Sequence, residues 1–282
     1  MATIHSKPRP FFLPSSLGRI FCIYHEPVGE VNPWGNVLIV PGFNEEMNRC
    51  RSMVTLQAHA LAQQGIGTLV VDLYGTGESD GEYGEARWEA WIDDIHRATD
   101  WLDAQPGGCL AILGIRLGFP LAVSAVRNDQ KFRVLIAWQA VVDGKSYFTQ
   151  FMRMKIAANM DRTDIPKETS GGMRAQLAAG SSIEIAGYEI SPELGRALDN
   201  LKLVDLLPPE TSKVIWLEKA AGAENTLSVA SEKLVETWQQ AGRAAEVMLF
   251  DGPAFWALHE RFLAPDLVSK TVNWLQQFRP AE

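Results

Sequence analysis

A chain of 282 residues, 46% hydrophobic and 21% charged, has the length for one large α/β domain and is too apolar for wholesale disorder. Its net charge of -8 argues against a nucleic-acid partner, which would need a basic patch. The 3 cysteines, Cys22, Cys50 and Cys109, show no paired spacing, so they read as reduced thiols of a cytoplasmic protein, not as a disulfide framework or a zinc site.

The first ten residues lack the apolar core of a secretion signal. Phe11 to Leu13 and Arg19 to Tyr24 read as strands of a hairpin joined by a Pro-Ser-Ser-Leu-Gly turn. Val37 to Val40 is an apolar run of strand length that ends in Pro41-Gly42; such runs suit strands covered on both faces. Pro41-Gly42-Phe43-Asn44-Glu45-Glu46 then follows at a strand's carboxyl end, where open α/β sheets bind ligands. Met53 to Gln64 reads as a helix with Gly65 as its cap, and Thr68 to Val71 as the next strand. Asp72-Leu73-Tyr74-Gly75-Thr76-Gly77-Glu78-Ser79 forms a turn whose glycines supply backbone conformations other residues reach only with strain.

Ala86 to Ala104 is an amphipathic helix, with Trp88, Trp91, Ile92, Ile95 and Leu102 on its sheet side and Glu89, Asp93, Asp94 and Arg97 facing away. Leu110 to Val126 is the most informative stretch. An apolar strand ends in Gly114-Ile115-Arg116-Leu117-Gly118, and a helix of small apolar residues follows. This has the frame of a nucleophile elbow, Gly-x-Ser-x-Gly, with Arg116 where the serine would stand. An ordinary βα turn is the competing reading. A membrane span over residues 108–126 is disfavoured by the central Arg116 and by Pro120.

Val134 to Trp138 is another buried strand. Residues 143–211 then change character. Helices are expected over Ser146 to Met160, Gly171 to Ala179 and Pro192 to Asn200, with a short hairpin within Ile183 to Ile190. This segment reads as a helical lid inserted into a core formed by residues 1–142 and 212–282. The strand–helix alternation resumes with Lys213 to Leu217, Val229 to Gln240, Ala245 to Phe250 and a closing helix over Leu263 to Phe278. The order predicts a mostly parallel, doubly wound sheet.

These features together resemble the α/β-hydrolase superfamily over nearly the whole chain. The carrying signs are Pro41-Gly42-Phe43 where an oxyanion loop would sit, the Asp72 to Ser79 turn, the Gly114 to Gly118 elbow and the lid after the next strand. More narrowly, the chain resembles bacterial exosortase A system-associated hydrolases of the hydrolase 2 type. Asp72 to Ser79, Ala86-Arg87-Trp88 with Trp91, Gly114 to Gly118, Gln150-Phe151-Met152-Arg153 and Phe255-Trp256 carry that likeness. Arginine at the elbow is characteristic of that family. The resemblance implies a setting among systems that sort tagged (PEP-CTERM) proteins and make extracellular polysaccharide, without implying a substrate.

Serine-hydrolase chemistry needs a nucleophile, a base and an orienting acid. Arg116 is no nucleophile, since its guanidinium stays protonated at any working pH. The acid position falls near Ala220, with Glu218 or Glu224 as stand-ins; the base position falls near Phe255, with His259 as the nearest imidazole. Cys50, near an expected helix start, and Ser124, on the elbow helix, are displaced nucleophile candidates without a named base.

Two functions therefore stand. In one, Arg116 holds an anionic or acyl-bearing small molecule at the elbow helix's amino end, helped by Arg153 and Lys155, in a pocket walled by Phe43, Ile115, Leu117, Phe255 and Trp256. In the other, His259 and a displaced carboxylate hydrolyse esters or thioesters. A structural alternative for Arg116 is pairing with Glu45, Glu46 or Glu218. No metal, cofactor or membrane span is expected, and no protein partner is indicated.

Overall fold

The computed structural model describes residues 6–29, 33–160, 167–220 and 226–280. Its centre is a sheet of eight strands: β1 (Pro8–Pro14), β2 (Arg19–His25), β3 (Gly35–Val40), β4 (Ile66–Val71), β5 (Cys109–Ile115), β6 (Val134–Trp138), β9 (Lys213–Lys219) and β10 (Ala244–Phe250). Their spatial order is β1-β2-β4-β3-β5-β6-β9-β10. β1 and β2 form the antiparallel hairpin and β2 joins β4 antiparallel. From β4 to β10 every pairing is parallel, so these six strands end at one edge.

Alternation of side chains along each strand divides the core in two. Leu38, Val40 and Ile112 face one apolar cluster, which takes in α2 (Trp88–Asp103), α3 (Gly118–Val126) and Trp238 of α7 (Val229–Gln240). Val37, Ile39, Leu113 and Ile115 face the other, which takes in α1 (Glu45–Ala62) and α8 (Pro265–Leu275). Burial on both faces explains why these strands are continuous apolar runs.

The segment between β6 and β9 holds α4 (Gly144–Ala158), α5 (Ser170–Ala178), the hairpin β7 (Ile183–Ile185) and β8 (Tyr188–Ile190), and α6 (Pro192–Asn200). Asp143, Thr169 and Ser191 cap the three helices, each side chain accepting a first-turn N–H. Phe148, Met152, Met173, Leu177 and Ile190 belong to the same apolar cluster as Leu38 and Val40. The segment is thus continuous with the core of the sheet.

Several expectations need correction. α1 begins at Glu45, eight residues before the apolar pattern starts, because its first turn is polar and lies at the sheet's edge. Asp94 does not face away from the sheet. It is 1% exposed and accepts hydrogen bonds from the Tyr74 N–H at 2.8 Å and from the Ser15 hydroxyl, so it ties α2 to the turn after β4. The disfavoured membrane span is no such correction: residues 108–126 contain the strand β5 and the nine-residue α3, and no helix among the described residues is long and apolar enough to cross a membrane.

Candidate functional site

Two glycines set the turn between β5 and α3 by close approach. A Cβ on Gly114 would overlap the Phe119 backbone, and one on Gly118 would overlap the Val40 and Pro41 carbonyls. Between them Arg116 has φ +54°. Two further non-glycine residues with positive φ flank it at neighbouring strand ends: Gln139 (φ +46°) just past β6, and Asn44 (φ +52°, ψ −129°) just before α1. Residues held in such regions cost on the order of 1–3 kcal/mol each and cluster at functional sites. The Arg116 turn is pinned on both sides: its N–H donates to the Trp138 carbonyl at 3.0 Å, and its carbonyl accepts from the Val141 N–H at 3.2 Å.

The Arg116 side chain is 15% exposed. Its Nε donates to Glu46 Oε1 at 3.0 Å and its Nη1 to the Gln139 carbonyl at 2.9 Å. Glu46 Oε2 accepts the Tyr147 hydroxyl at 2.7 Å, and Glu45 accepts the Tyr188 hydroxyl at 2.7 Å. The guanidinium carbon lies 5.6 Å from the Tyr147 ring centre and 5.4 Å from that of Trp256. Nη2 donates to no protein acceptor among the described residues. Burial works against the cation, but the Glu46 carboxylate and the Tyr147 oxygen outweigh it and hold the Arg116 pKa above the ordinary arginine value. Burial, then the charge of Glu46, keeps the Tyr147 phenol protonated well above its usual range.

A cavity of about 400 Å³ opens over this pair. Arg116, Glu46, Tyr147, Phe43, Trp256 and His259 border it, together with Glu45 and Arg49. Two formal cations thus face two formal anions, apart from the histidine. A second cavity of about 300 Å³ lies on the other side of Phe43, bordered by Asn44, Leu117 and Tyr83.

The structure therefore brings four expected residues together, Arg116, Phe43, Trp256 and His259. It separates the rest. Leu117 borders the second cavity. Ile115 and Phe255, 1% and 2% exposed, belong to the core beneath, since β5 alternation turns Ile115 toward α1 and Phe255 packs on Trp138. Glu218 is 2% exposed, and its oxygens accept the Trp216 indole N–H at 2.8 Å and the Ser228 N–H at 2.9 Å. It anchors the start of α7 and pairs with neither Arg116 nor His259. Glu224 lies outside the described residues. His259 is exposed on the loop before α8, not at a helix start. Lys155 pairs with Glu168 at 3.0 Å, and neither it nor the exposed Arg153 borders the cavity.

The displaced nucleophiles fare no better. Cys50 sits in the second turn of α1, 1% exposed, and burial pushes its thiol far above the usual value. The Ser124 hydroxyl donates to the Pro120 carbonyl at 2.8 Å. Neither residue, and no other serine or cysteine among the described residues, borders the two cavities. No metal-holding group of His, Cys, Asp and Glu occurs among the described residues. Sequence reasoning missed Tyr147 and Tyr188; their hydroxyls find their partners on α1, a hundred or more residues away.

Residues 31–175 match the family model described as Serine aminopeptidase, S33. Est1E from Butyrivibrio proteoclasticus with ferulic acid bound is similar in fold, with TM-score 0.62 and 13% identity over 95% of this chain and 97% of that one. An α/β serine hydrolase without lid from Xanthomonas campestris aligns at TM-score 0.55 and 16% identity, over 99% and 98% of the two chains. The α/β hydrolase GrgF from a Penicillium species aligns at TM-score 0.61 and 14% identity, over 97% and 99%. An Escherichia coli relative, "Uncharacterized 31.7 kDa protein in traX-finO intergenic region", is 30% identical over 90 residues, or 31% of this chain; the match spans about a third of that relative's length (32%).

Proposed function

This chain belongs to the serine aminopeptidase S33 family of α/β hydrolases, and we propose that within it the protein binds an acyl-bearing small molecule through Arg116 instead of cleaving one by serine chemistry. The observation that carries this reading is Arg116 itself. It occupies the left-handed position between Gly114 and Gly118, where a serine nucleophile would stand, and faces a cavity with one nitrogen unengaged.

Because Glu46 already balances the Arg116 charge, the free Nη2 suits the oxygen of an ester, thioester or amide carbonyl as well as a carboxylate. Phe43, Trp256 and Phe151 offer apolar wall for the acyl chain. Residues 143–211 act as a lid in this reading, held down by the hydrogen bonds from Tyr147 and Tyr188 to Glu46 and Glu45. The motif residues quoted above support, as part of the same proposal, a cytoplasmic role in an exosortase-associated, extracellular-polysaccharide system.

His259 on the rim of the same cavity supports one second reading, an atypical ester or thioester hydrolase that activates water. One experiment separates the two. The purified protein is incubated with short-chain nitrophenyl esters and, separately, titrated with the corresponding methyl esters while its melting temperature is followed. Saturable stabilisation without turnover is expected, and a ligand at a hundred times its Kd should add about 2.7 kcal/mol. Stabilisation should vanish in Arg116→Met paired with Glu46→Gln, which removes both charges of the buried pair together. Turnover that disappears in His259→Ala would overturn the binding reading.

A further inference from the structure

The second cavity, of about 300 Å³, lies across Phe43 from Arg116, and its lining sorts by depth. Leu73, Trp91, Leu117 and Leu121 form its floor; each is 2 to 4% exposed and belongs to the apolar cluster that takes in α2 and α3. Asn48, Gly77, Gly81, Glu82 and Gly187 form its mouth, and all five are exposed. Gly187 lies in the turn between β7 and β8, where an added Cβ would meet nothing, so the mouth is open on that side.

The polar side-chain tips behind the mouth are all turned to the protein. The Trp91 indole donates to the Tyr74 carbonyl at 2.9 Å, the Thr76 hydroxyl to the Leu73 carbonyl at 2.7 Å, and the Tyr188 hydroxyl to Glu45 at 2.7 Å. The Asn44 amide and the Tyr83 hydroxyl are enclosed by protein and do not open into the cavity. A ligand group on the floor therefore meets leucine and tryptophan surface and no side-chain donor or acceptor. A polar group seated there would lose its water without compensation. Water itself is poorly held on such a surface, so an apolar group that displaces it gains affinity. The mouth differs. Glu82 is the only charged residue that borders the cavity among the described residues. Arg51, beside Gly77, is already matched by Asp72 at 3.2 Å. Nothing at the mouth is therefore set to hold an anion.

We propose that this cavity binds an uncharged amphiphile, with its hydrocarbon end on the floor of Leu73, Trp91, Leu117 and Leu121 and its single polar end at the mouth beside Asn48. The exposed Asn48 amide can both donate to and accept from a hydroxyl. Glu82 turns away a carboxylate, so the site selects an alcohol over the acid of the same chain. The site is independent of whether Arg116 holds a ligand.

The test uses 1-octanol as the probe and octanoate as its charged counterpart, each titrated into the full-length protein by calorimetry. Octanol should bind saturably with a negative heat-capacity change, the mark of apolar burial. From 1-hexanol to 1-octanol the affinity should rise about fourfold per methylene. Octanoate should bind roughly tenfold more weakly than octanol. Glu82→Gln should strengthen octanoate several-fold. Met47→Trp, which places an indole in the cavity from a half-buried position on α1, should abolish octanol binding. Leu121→Phe fills the same space from the floor and should do likewise, with the melting temperature of each variant showing that it folds. Arg116→Met with Glu46→Gln should leave octanol within about twofold, so this site and the Arg116 site can fail separately. In crystals soaked with 8-bromo-1-octanol, the anomalous signal of bromine should lie between Trp91 and Leu121. Absence of saturable octanol binding overturns the proposal. So does octanoate binding as tightly as octanol, octanol binding unchanged in both Met47→Trp and Leu121→Phe, or bromine found only outside this cavity.

Discussion

At the scale of single residues, one ion pair sets the chemistry of the cleft. Arg116 and Glu46 are each 15% exposed, and each is the other's main charge partner. Breaking a buried pair from one side leaves an uncompensated charge, so Arg116→Met should lower stability by about 3–5 kcal/mol in denaturant unfolding. Arg116→Met with Glu46→Gln should recover most of that loss. Arg116→Ser restores the nucleophile's spelling but not its base, for His259 is exposed on a loop and Glu218 is committed to Trp216 and Ser228. Nitrophenyl ester turnover should therefore stay absent in that variant. Gly118→Ala forces a methyl group against the Val40 and Pro41 carbonyls and should cost about 1–3 kcal/mol or more, measured as a shift in the unfolding midpoint.

Between elements, the informative contact is where β2 meets α1. The His25 ring on β2 is 5% exposed, with the Ser6 hydroxyl 3.3 Å from its Nδ1 and the His59 ring of α1 5.6 Å away, centre to centre. Burial, and then the neighbouring His59, lower its pKa from the ordinary 6.5 to about 4. In this window the unfolded chain binds a proton that the folded chain does not. The His25 contribution to stability should therefore be full above pH 6.5 and be lost as pH drops toward 4. His25→Gln should flatten that slope in melting curves taken across the range. Amphipathic period placed α2 correctly but misassigned Asp94, because spacing reports which face a residue shares and not whether a distant N–H waits there. Asp94→Ala strands the buried Tyr74 N–H and should cost about 1–3 kcal/mol.

The molecule as a whole couples the segment between β6 and β9 to the rest of the domain through a shared apolar cluster, through two tyrosine–carboxylate bonds onto the first turn of α1, and through Arg87, which donates to the Ser191 hydroxyl at 3.0 Å and pairs with Glu193 at 3.6 Å. Tyr147→Phe with Tyr188→Phe removes the two bonds onto α1 and leaves the apolar and Arg87 contacts. Amide exchange should then quicken in α4 and β8 while β3 and β5 keep their protection. If α4 exchange is unchanged, the remaining apolar and Arg87 contacts hold the segment in place without the bonds onto α1.

The parallel order, the β5–α3 turn and nearly every strand were legible in the chain, because apolar runs, glycine spacing and helix caps are local consequences of residue type. The exchange of a guanidinium for a hydroxyl at the turn was legible for the same reason. Side-chain partners were not. Whether Arg116 meets Glu45, Glu46 or Glu218, whether Glu218 meets an imidazole or a helix start, and that the Asn44 side chain has no hydrogen-bond partner among the described residues depend on register between strands and on how α4 packs over α1. Those are long-range packing outcomes, and only the assembled sheet and its helices fix them.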